Sequence, residues 1–357
     1  MRGHLNNFIE GAIDWLWRRR STGLTLIRIS IPVLLVLLGM SFTMNVIVPT
    51  SSGTIIFSLD MSQGNPAYLI IIGLILDVIL IVMGIVLLII EERRLGKRRA
   101  VAIELRGLRD TAGDPLKDKI PRKIQGRREQ ILVNIRRSDG CILDPENALQ
   151  QVVHLPTSIA HFEAGADRSE ITYVAGGLAP VPFSFLLGVL LDDESGVTLM
   201  DWDRKGDCWR SLDSQDDGDR FTVTGMEHIG LAEEIVVSIS VSYETNMPAI
   251  IQTFSGQPIV SLTLSELSID GHWSEDKQST LAQKFFDTMR ALCGTGVKWV
   301  NLVLAAPSSI VIRFGRIYDK RNLPALTVWQ YENGQNPTYP WGVSMPVAGN
   351  RAAIIFR

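Results

Sequence analysis

The segment from Ala305 to Arg316, AAPSSIVIRFGR, contains residue types that bind anions. An Ala-Pro turn precedes a helical pattern, and proline is pre-shaped for the first turn of a helix. Free backbone N–H groups at such a helix start attract phosphate, and two serine hydroxyls would add donors. Pro307, Ser308 and Ser309 are therefore a candidate phosphate site. The alternative is an ordinary strand-to-helix turn.

A second copy of this pattern lies 127 residues earlier. The stretch LAPVPFSFLLGVLLDDESGVTLMDW at 178–202 aligns without a gap with AAPSSIVIRFGRIYDKRNLPALTVW at 305–329. The identical residues lie at or near the expected ends of helices and strands: Ala179-Pro180 with Ala306-Pro307, Gly188 with Gly315, Asp192 with Asp319, and Trp202 with Trp329. Helical patterns at 146–164 and 278–293 also correspond. The sequence thus predicts an internal repeat of two similar halves.

Each half reads helix, strand, Ala-Pro turn, helix, strand. Strands that alternate with helices indicate βαβ units and a parallel sheet. Ligands of such sheets bind beyond the carboxyl ends of the strands, at the helix starts. In the first half, Gly176 and Gly177 would let the backbone approach a ligand closely.

Two long apolar runs precede these halves, at 24–48 and 67–90. Each reaches the roughly 20 residues that span a bilayer as a helix. The loop 49–66 has no Lys or Arg, whereas arginines flank both runs, so the positive-inside rule places both chain ends in the cytoplasm. Residues 5–17 have helical apolar spacing and predict an amphipathic helix at the inner leaflet.

Asp77 lies near the middle of the second run. A carboxylate at that depth is costly and usually faces protein or water. Gly73 and Gly84 fall on the same helix face, and small residues beside a polar group are typical of a helix–helix contact. The partner is either a neighbouring subunit or the first span of the same chain, where Ser41 would lie at similar depth.

Charge is divided unevenly along the chain. Residues 91–137 hold 15 Lys or Arg against 7 Asp or Glu, whereas residues 138–357 hold 15 against 27. The basic segment predicts a juxtamembrane collar that contacts inner-leaflet lipid, with contact to an anionic ligand as the alternative. We expect strands near 100–106 and 131–136 and a short helix near 115–120.

Motifs for hydrolytic or metal chemistry are missing from the sequence. Cys141, Cys208 and Cys293 show no metal-ligand spacing, so reduced core thiols are expected. The chain has no GxSxG, Walker or HExxH motif. We therefore predict no metal, no cofactor and no enzymatic activity.

The stretch LVLAAPSSIVIRFGRIYDKRNLPALTVWQYE, followed by YPWGVSMP, resembles the C-terminal signature of SAVED domains. With the repeat, the resemblance extends over about 130–357. SAVED domains are similar to two fused CARF-like, Rossmann-like units. Two membrane helices before such a domain look like the membrane-spanning SAVED effectors of bacterial CBASS anti-phage systems. The implied fold class is a membrane-anchored α/β protein with two transmembrane helices and a cytoplasmic SAVED domain.

The expected organisation follows from these patterns. It comprises an amphipathic inner-leaflet helix at 1–22, two transmembrane helices within 23–90 (24–48 and 67–90, with outside loop 49–66), a basic collar at 91–130, a first CARF-like half at 131–225, and a second CARF-like half at 226–357. The resemblance implies a multi-pass protein of the bacterial inner membrane that binds a cyclic di- or trinucleotide made by a partner nucleotidyltransferase. Ligand-driven self-assembly would then let the membrane helices disrupt the lipid bilayer.

An anionic nucleotide in an acidic body needs local cations, and its bases need aromatic faces. The further candidates are Trp202, Arg204, Trp209, Arg210, His272, Trp273, Lys277, Arg316 and Tyr331. A buried core tryptophan or a solvated charge is the alternative for each of them. Arg313 and Arg316 lie near the far end of their predicted helix, which argues against phosphate contact by both. The first half has Val189 in place of Arg316, so an asymmetric site is expected.

Two functions other than the membrane effector stay open at this point. The chain is either a ligand-gated membrane effector, a two-span sensor that recruits another effector, or a membrane-tethered nuclease or phosphodiesterase. Two helices alone cannot line a pore, so only the first function requires self-assembly.

Overall fold

A computed structural model describes residues 22–37, 43–50, 53–60, 67–165, 167–192, 196–346 and 351–357. The chain divides into two compact units, Met1–Lys97 and Arg98–Arg357. The predicted amphipathic helix at 5–17 lies outside the described residues.

The described residues of the first unit form two helices and a hairpin. Helix α1 covers Thr22–Leu37, strands β1 (Thr43–Thr50) and β2 (Gly53–Asp60) pair antiparallel, and helix α2 covers Ala67–Lys97. The prediction of one span over 24–48 is therefore wrong at 43–48, which belong to β1. The run continues with β-branched residues such as Val46, Ile47 and Val48, which favour a strand. Within the described residues, one segment, Ile71–Glu91, is long and apolar enough to cross a membrane.

The predicted contact face of α2 packs on α1 of the same chain. A Cβ at Gly84 would lie 2.8 Å from Ile27 Cγ1, and a Cβ at Gly73 would lie 3.0 Å from Leu37 Cδ2. Asp77 is 1 % exposed on this face, and Ser30 of α1 is also buried. The structure thus favours the own-chain partner. The predicted partner residue at position 41 lies outside the described residues.

A five-stranded sheet opens the second unit, with the order β4-β3-β5-β6-β7. Its strands are β3 (Arg99–Arg106), β4 (Arg127–Asn134), β5 (Ile171–Leu178), β6 (Thr198–Asp203) and β7 (Cys208–Ser211). The first four run parallel and β7 is antiparallel. Strand β3 is buried between β4 and β5, so the collar at 91–130 is corrected: it contains β3 and the start of β4, which belong to the first half's sheet.

A seven-stranded sheet forms the second half, in the order β14-β13-β12-β11-β9-β10-β8. Its strands are β8 (Thr222–Thr224), β9 (Glu234–Ser240), β10 (Ile259–Thr263), β11 (Trp299–Ala305), β12 (Ala325–Gln330), β13 (Trp341–Ser344) and β14 (Ala353–Phe356). Strands β9 to β12 are parallel, which the alternating pattern predicted.

Helices connect these strands. They are α3 (Leu116–Lys119), α4 (Pro145–Val153), α5 (Leu155–Glu163), α6 (Val181–Leu190), α7 (Met247–Thr253), α8 (Glu275–Gly294) and α9 (Ser308–Ile317). The predicted helix at 146–164 is two helices that meet at His154. Three of them begin at a polar cap, Asp144, Asn246 or Ser274: Asp144 Oδ2 accepts from Asn147 N at 3.2 Å, and Ser274 Oγ accepts from Lys277 N at 3.2 Å.

The repeated helices α6 and α9 pack on each other at their matching glycines. A Cβ at Gly188 would overlap Ile312 O, and a Cβ at Gly315 would overlap Phe185 O. The two backbones can approach this closely because neither glycine has a side chain. One apolar core runs through both halves around this crossing.

The cysteine prediction is only partly right. All three cysteines are free thiols, but Cys141 and Cys293 are exposed and Cys208 is partly exposed, so they are not core residues.

Candidate functional site

A cavity of about 610 Å³ lies at the carboxyl ends of the parallel strands in the second unit. Its walls include Leu178 at the end of β5, Ala305 at the end of β11, and Ser242 in the loop after β9. The helix starts at Val181 and Ser308 also line it. Ligands of parallel α/β sheets bind at this position, and small-molecule sites span about 300–1,000 Å³.

The cavity brings together seven of the predicted residues. They are Trp202, Arg204, His272, Trp273, Pro307, Ser308 and Tyr331. They come from both halves of the repeat, so the cavity is a shared site.

A carboxylate from the first half caps the start of α9. Ser309 N donates to Asp201 Oδ2 at 2.9 Å, and Trp202 N donates to Asp201 Oδ1 at 2.8 Å. Helix α9 has no side-chain cap of its own, because its N-cap residue is Pro307. Of the predicted phosphate site at Pro307, Ser308 and Ser309, the first two residues line the cavity, but the Ser309 amide already donates to Asp201. A phosphate at the Ser309 amide would have to displace Asp201 and would be repelled by its charge.

The start of α6 is capped reciprocally by the second half. Val181 N donates to Gln330 Oε1 at 3.1 Å, and the N-cap residue Pro180 supplies no side-chain acceptor. The hydroxyls of Ser184 and Ser308 lie 3.4 Å apart between the two helix starts. Each half thus supplies the cap that the other half's helix lacks.

Two cations follow strand β6 at the cavity wall. Arg204 is exposed and forms no ion pair with any residue that the structure describes. Lys205 Nζ lies 2.6 Å from Asp270 Oδ2, and the hydrogen bond to this carboxylate raises the pKa of Lys205. Both side chains reach solvent, so they can contact an anionic ligand at the mouth of the cavity.

His272 lies beside the capping carboxylate. Its Nε2 is 3.4 Å from Asp201 Oδ2, and its ring packs on Trp273 with centroids 4.3 Å apart. His272 is 4 % exposed, and neither ring nitrogen makes a hydrogen bond to a described residue. Gln278 Nε2 donates to His272 O at 2.7 Å and holds the loop in place.

Aromatic rings are available at two depths. Trp202 is 6 % exposed and meets Trp209 edge-on at 5.4 Å. Tyr331 and Tyr243 are 42 % and 57 % exposed and line the cavity. The tyrosines therefore offer faces on which a base can stack, whereas Trp202 is mainly a core residue.

Three first-half residues that were predicted to contact ligand, Gly176, Gly177 and Trp209, have packing roles. A Cβ at Gly176 would lie 2.7 Å from Trp209 Cζ3, and one at Gly177 would lie 3.2 Å from Leu105 Cβ. Trp209, in strand β7 of the five-stranded sheet, is 3 % exposed in an apolar cluster. The glycines allow close packing against β5, and the Trp209 ring fills the space beside Gly176.

Two cationic residues that were predicted to contact ligand do not line the cavity. Lys277 Nζ is buried and donates to Asp217 Oδ2 at 2.6 Å. The Arg210 guanidinium lies over the Trp273 ring, 4.7 Å from its centroid. Both therefore support the loop that holds His272.

Ser309 and Arg316 also have structural roles. The Ser309 hydroxyl is buried and accepts from Gln278 Nε2 at 2.8 Å. Arg316 Nη1 donates to Val197 O at 3.4 Å, at the far end of α9. This position agrees with the spacing argument against a phosphate contact.

Sequence analysis missed Asp201, Lys205 and Gln330. Asp201 and Lys205 lie in the stretch DWDRK beside predicted residues, so the signal was present. An anionic ligand directs the search to cations and aromatic rings, so the carboxylate of Asp201 is not among the candidates. Gln330 adjoins the predicted Tyr331, but nothing local indicates that it caps a helix 149 residues away.

Two family models match the chain. The first model is SAVED, described as "SMODS-associated and fused to various effectors sensor domain". It matches residues 155–345, more than half of the chain. The SAVED-fused 2TM effector domain matches residues 2–149. No curated protein matches the chain.

Solved structures of similar fold are SAVED/CARF-domain containing receptors. The Acinetobacter baumannii Cap4 receptor, solved with the cyclic trinucleotide 2′3′3′-cAAA, has 13 % identity and a TM-score of 0.45, and the match covers 68 % of this chain and 50 % of that receptor. The Moraxella osloensis Cap4 receptor has 15 % identity and a TM-score of 0.41, with 67 % and 48 % covered. The chain thus spans about half the length of these receptors. The chain belongs to the SAVED family, with a SAVED sensor domain that follows a SAVED-fused 2TM effector domain.

Proposed function

We propose that the chain is a receptor for a cyclic oligonucleotide that binds in the 610 Å³ cavity. The observation that carries this proposal is the mouth of the cavity. The exposed cations Arg204 and Lys205 line the same cavity as the exposed rings of Tyr243 and Tyr331. Cations suit phosphates, and exposed aromatic faces suit bases.

Ligand binding would act on the 2TM effector domain through self-assembly. The long apolar helix within α2 and the shorter α1 are too few to line a pore in one copy. Several copies brought together by ligand would cluster these segments and disrupt the bilayer. On this proposal the protein is a multi-pass effector of the bacterial inner membrane with both chain ends in the cytoplasm, and the exposed basic residues around the end of α2, Arg93, Lys97 and Arg98, contact anionic lipid.

The biological setting that fits is anti-phage defence of the CBASS type. A partner nucleotidyltransferase would make the cyclic di- or trinucleotide after infection, and membrane disruption would end the infected cell. The receptor would bind its ligand without hydrolysing it, and ligand recovered after incubation would be intact.

The test uses the full chain in dye-loaded liposomes that contain anionic lipid. A panel of cyclic di- and trinucleotides is added, and binding, oligomer size and dye release are measured. We expect one ligand class to bind, to raise the oligomer size and to release dye. Binding without dye release would favour a sensor that recruits another effector, and ligand cleavage would favour an enzyme.

A matched pair of variants controls for surface charge. Lys205 and Lys298 are both exposed lysines paired to a carboxylate, Asp270 and Glu233 respectively, but only Lys205 lines the cavity. Lys205→Ala should weaken ligand binding and dye release, whereas Lys298→Ala should leave both unchanged. No binding by any cyclic nucleotide would overturn the proposed function.

A further inference from the structure

We infer that the cavity has two chemically distinct parts: a cationic mouth that takes phosphates and an acceptor floor that takes the exocyclic amino group of a base. This inference rests on the proposed function and names the ligand class more narrowly. It assigns the floor to Asp201 and His272 and the mouth to Arg204 and Lys205.

The floor offers hydrogen-bond acceptors. An ionised carboxylate has about four acceptor positions and no donor. Asp201 uses one for Ser309 N and one for Trp202 N, so acceptor capacity is left on a side chain that lines the cavity. Since its charge repels phosphate and carbonyl oxygens alike, Asp201 selects a ligand group that carries N–H.

His272 extends this polar floor. It is buried next to Asp201, and its two ring nitrogens make no hydrogen bond to a described residue. Asp201 Oδ2 lies 3.4 Å from His272 Nε2, but a buried ring nitrogen without a hydrogen bond still costs free energy. A polar ligand edge seated at the floor would give His272 a hydrogen bond, whereas an apolar group would not.

The mouth has the opposite charge. Arg204 and Lys205 follow Asp201 by three and four residues, after the strand leaves the sheet, and both are exposed. This arrangement orients a nucleotide: phosphates stay at the mouth, and a base points inward along the wall formed by Val303 and Val311.

The orientation predicts a preference between isosteric bases. Cytosine and uracil differ in an amino group against a carbonyl and in the adjacent ring nitrogen, which accepts in cytosine and donates in uracil; adenine and hypoxanthine differ in the same two ways. A carboxylate at the amino position meets a repelling oxygen in the other member of each pair, and that base would have to shift to present its ring N–H. One well-placed base contact is worth about 1–3 kcal/mol, so we expect the amino-bearing member to bind about tenfold more tightly.

The experiment measures affinity of the full chain in lipid nanodiscs for four probes by calorimetry. The probes are cyclic tricytidylate, cyclic triuridylate, cyclic triadenylate and cyclic triinosinate. We expect at least one amino-bearing probe to bind about tenfold more tightly than its matched partner. Equal affinity within both pairs, or preference for the carbonyl member, would overturn the inference and leave the proposed function standing. If no cyclic nucleotide binds, the proposed function and the inference fail together.

Two variants separate the floor from the mouth. Asp201→Asn keeps a carbonyl oxygen for Ser309 N but removes the charge, and we expect it to abolish the preference within each pair. Lys205→Ala should weaken all four probes by a similar factor and keep the preference. A preference that survives Asp201→Asn in folded protein would contradict the assignment of the floor, and the wild-type probe series decides the matter if that variant does not fold.

Discussion

The starts of α6 and α9 hold equivalent positions in the two halves, yet their caps differ in charge. A neutral amide, Gln330, accepts from Val181 N, whereas a carboxylate, Asp201, accepts from Ser309 N. Duplicated backbone therefore does not imply duplicated electrostatics. The α9 start repels an anion and the α6 start does not, so one cavity has an acidic side and a neutral side.

The helix crossing shows the opposite behaviour, because there the two halves stay alike. Gly188 and Gly315 match in the repeat and occupy the same contact. Close backbone packing at the crossing requires glycine in both halves, whereas the residues that line the cavity can differ between the halves. The following predictions test where equivalence holds and where it fails, beginning with the largest expected effect.

Gly188→Ala and Gly315→Ala should both be strongly destabilising. The added Cβ overlaps a backbone oxygen, which cannot turn aside as a flexible side chain can. We expect a loss of about 3 kcal/mol or more from the free energy of unfolding in each case. Thermal unfolding of the full chain in detergent measures it.

A matched control comes from the C-terminal end of α8. Gly294→Ala places a Cβ in open space and should leave the Tm unchanged or slightly raised. If Gly188→Ala is as harmless as this control, the crossing is not a tight contact.

Removing the charged cap should lower the free energy of unfolding more than removing the neutral cap. Asp201→Ala leaves the buried Ser309 N–H without an acceptor and should cost about 1–2 kcal/mol. Gln330→Ala removes a longer, neutral hydrogen bond and should cost less than about 1 kcal/mol. Chemical denaturation of each variant measures the two values, and equal costs would refute the asymmetry.

The cations at the mouth should control affinity rather than stability. Arg204→Ala should lower ligand affinity about fivefold, because a charge-assisted hydrogen bond to phosphate is lost. Arg290, an exposed arginine of α8 that does not line the cavity, gives the matched control. Titration at low and high salt should show that the Arg204 effect shrinks as salt screens the charge.

The smallest effect is expected for the serine pair between the helix starts. The hydroxyls of Ser184 and Ser308 are 3.4 Å apart, near the limit for a hydrogen bond. Ser184→Ala and Ser308→Ala should each change stability by less than about 0.5 kcal/mol. If either variant lowers the Tm by as much as Asp201→Ala, this contact is stronger than its length indicates.

Much of the fold follows from local patterns. Alternating apolar segments predicted the parallel strands β9 to β12, and the alignment of the two repeats predicted that Gly188 and Gly315 are equivalent. The end of α1 was not predicted, because an apolar run at 24–48 satisfies both a helix and a helix followed by a β-branched strand. Length and hydropathy alone do not separate the two.

The site was predictable in position but not in detail. The rule for parallel sheets placed a ligand at the strand ends, where the cavity lies. The prediction that the α9 start is free for phosphate failed because Asp201 is 108 residues away in sequence. Local patterns describe which groups a helix start leaves open, but not which distant side chain fills them.

The exchange of caps limits how modular this domain is. Each half looks like a complete unit in sequence, yet a chain cut between β7 and β8 would give two fragments whose key helices both lack a cap. Folding of either half is thus incomplete until it meets the other. For protein engineering, this makes the pair of halves the smallest exchangeable part, and a chimaera that swaps one half must carry Asp201 or Gln330 along with the helix that it serves.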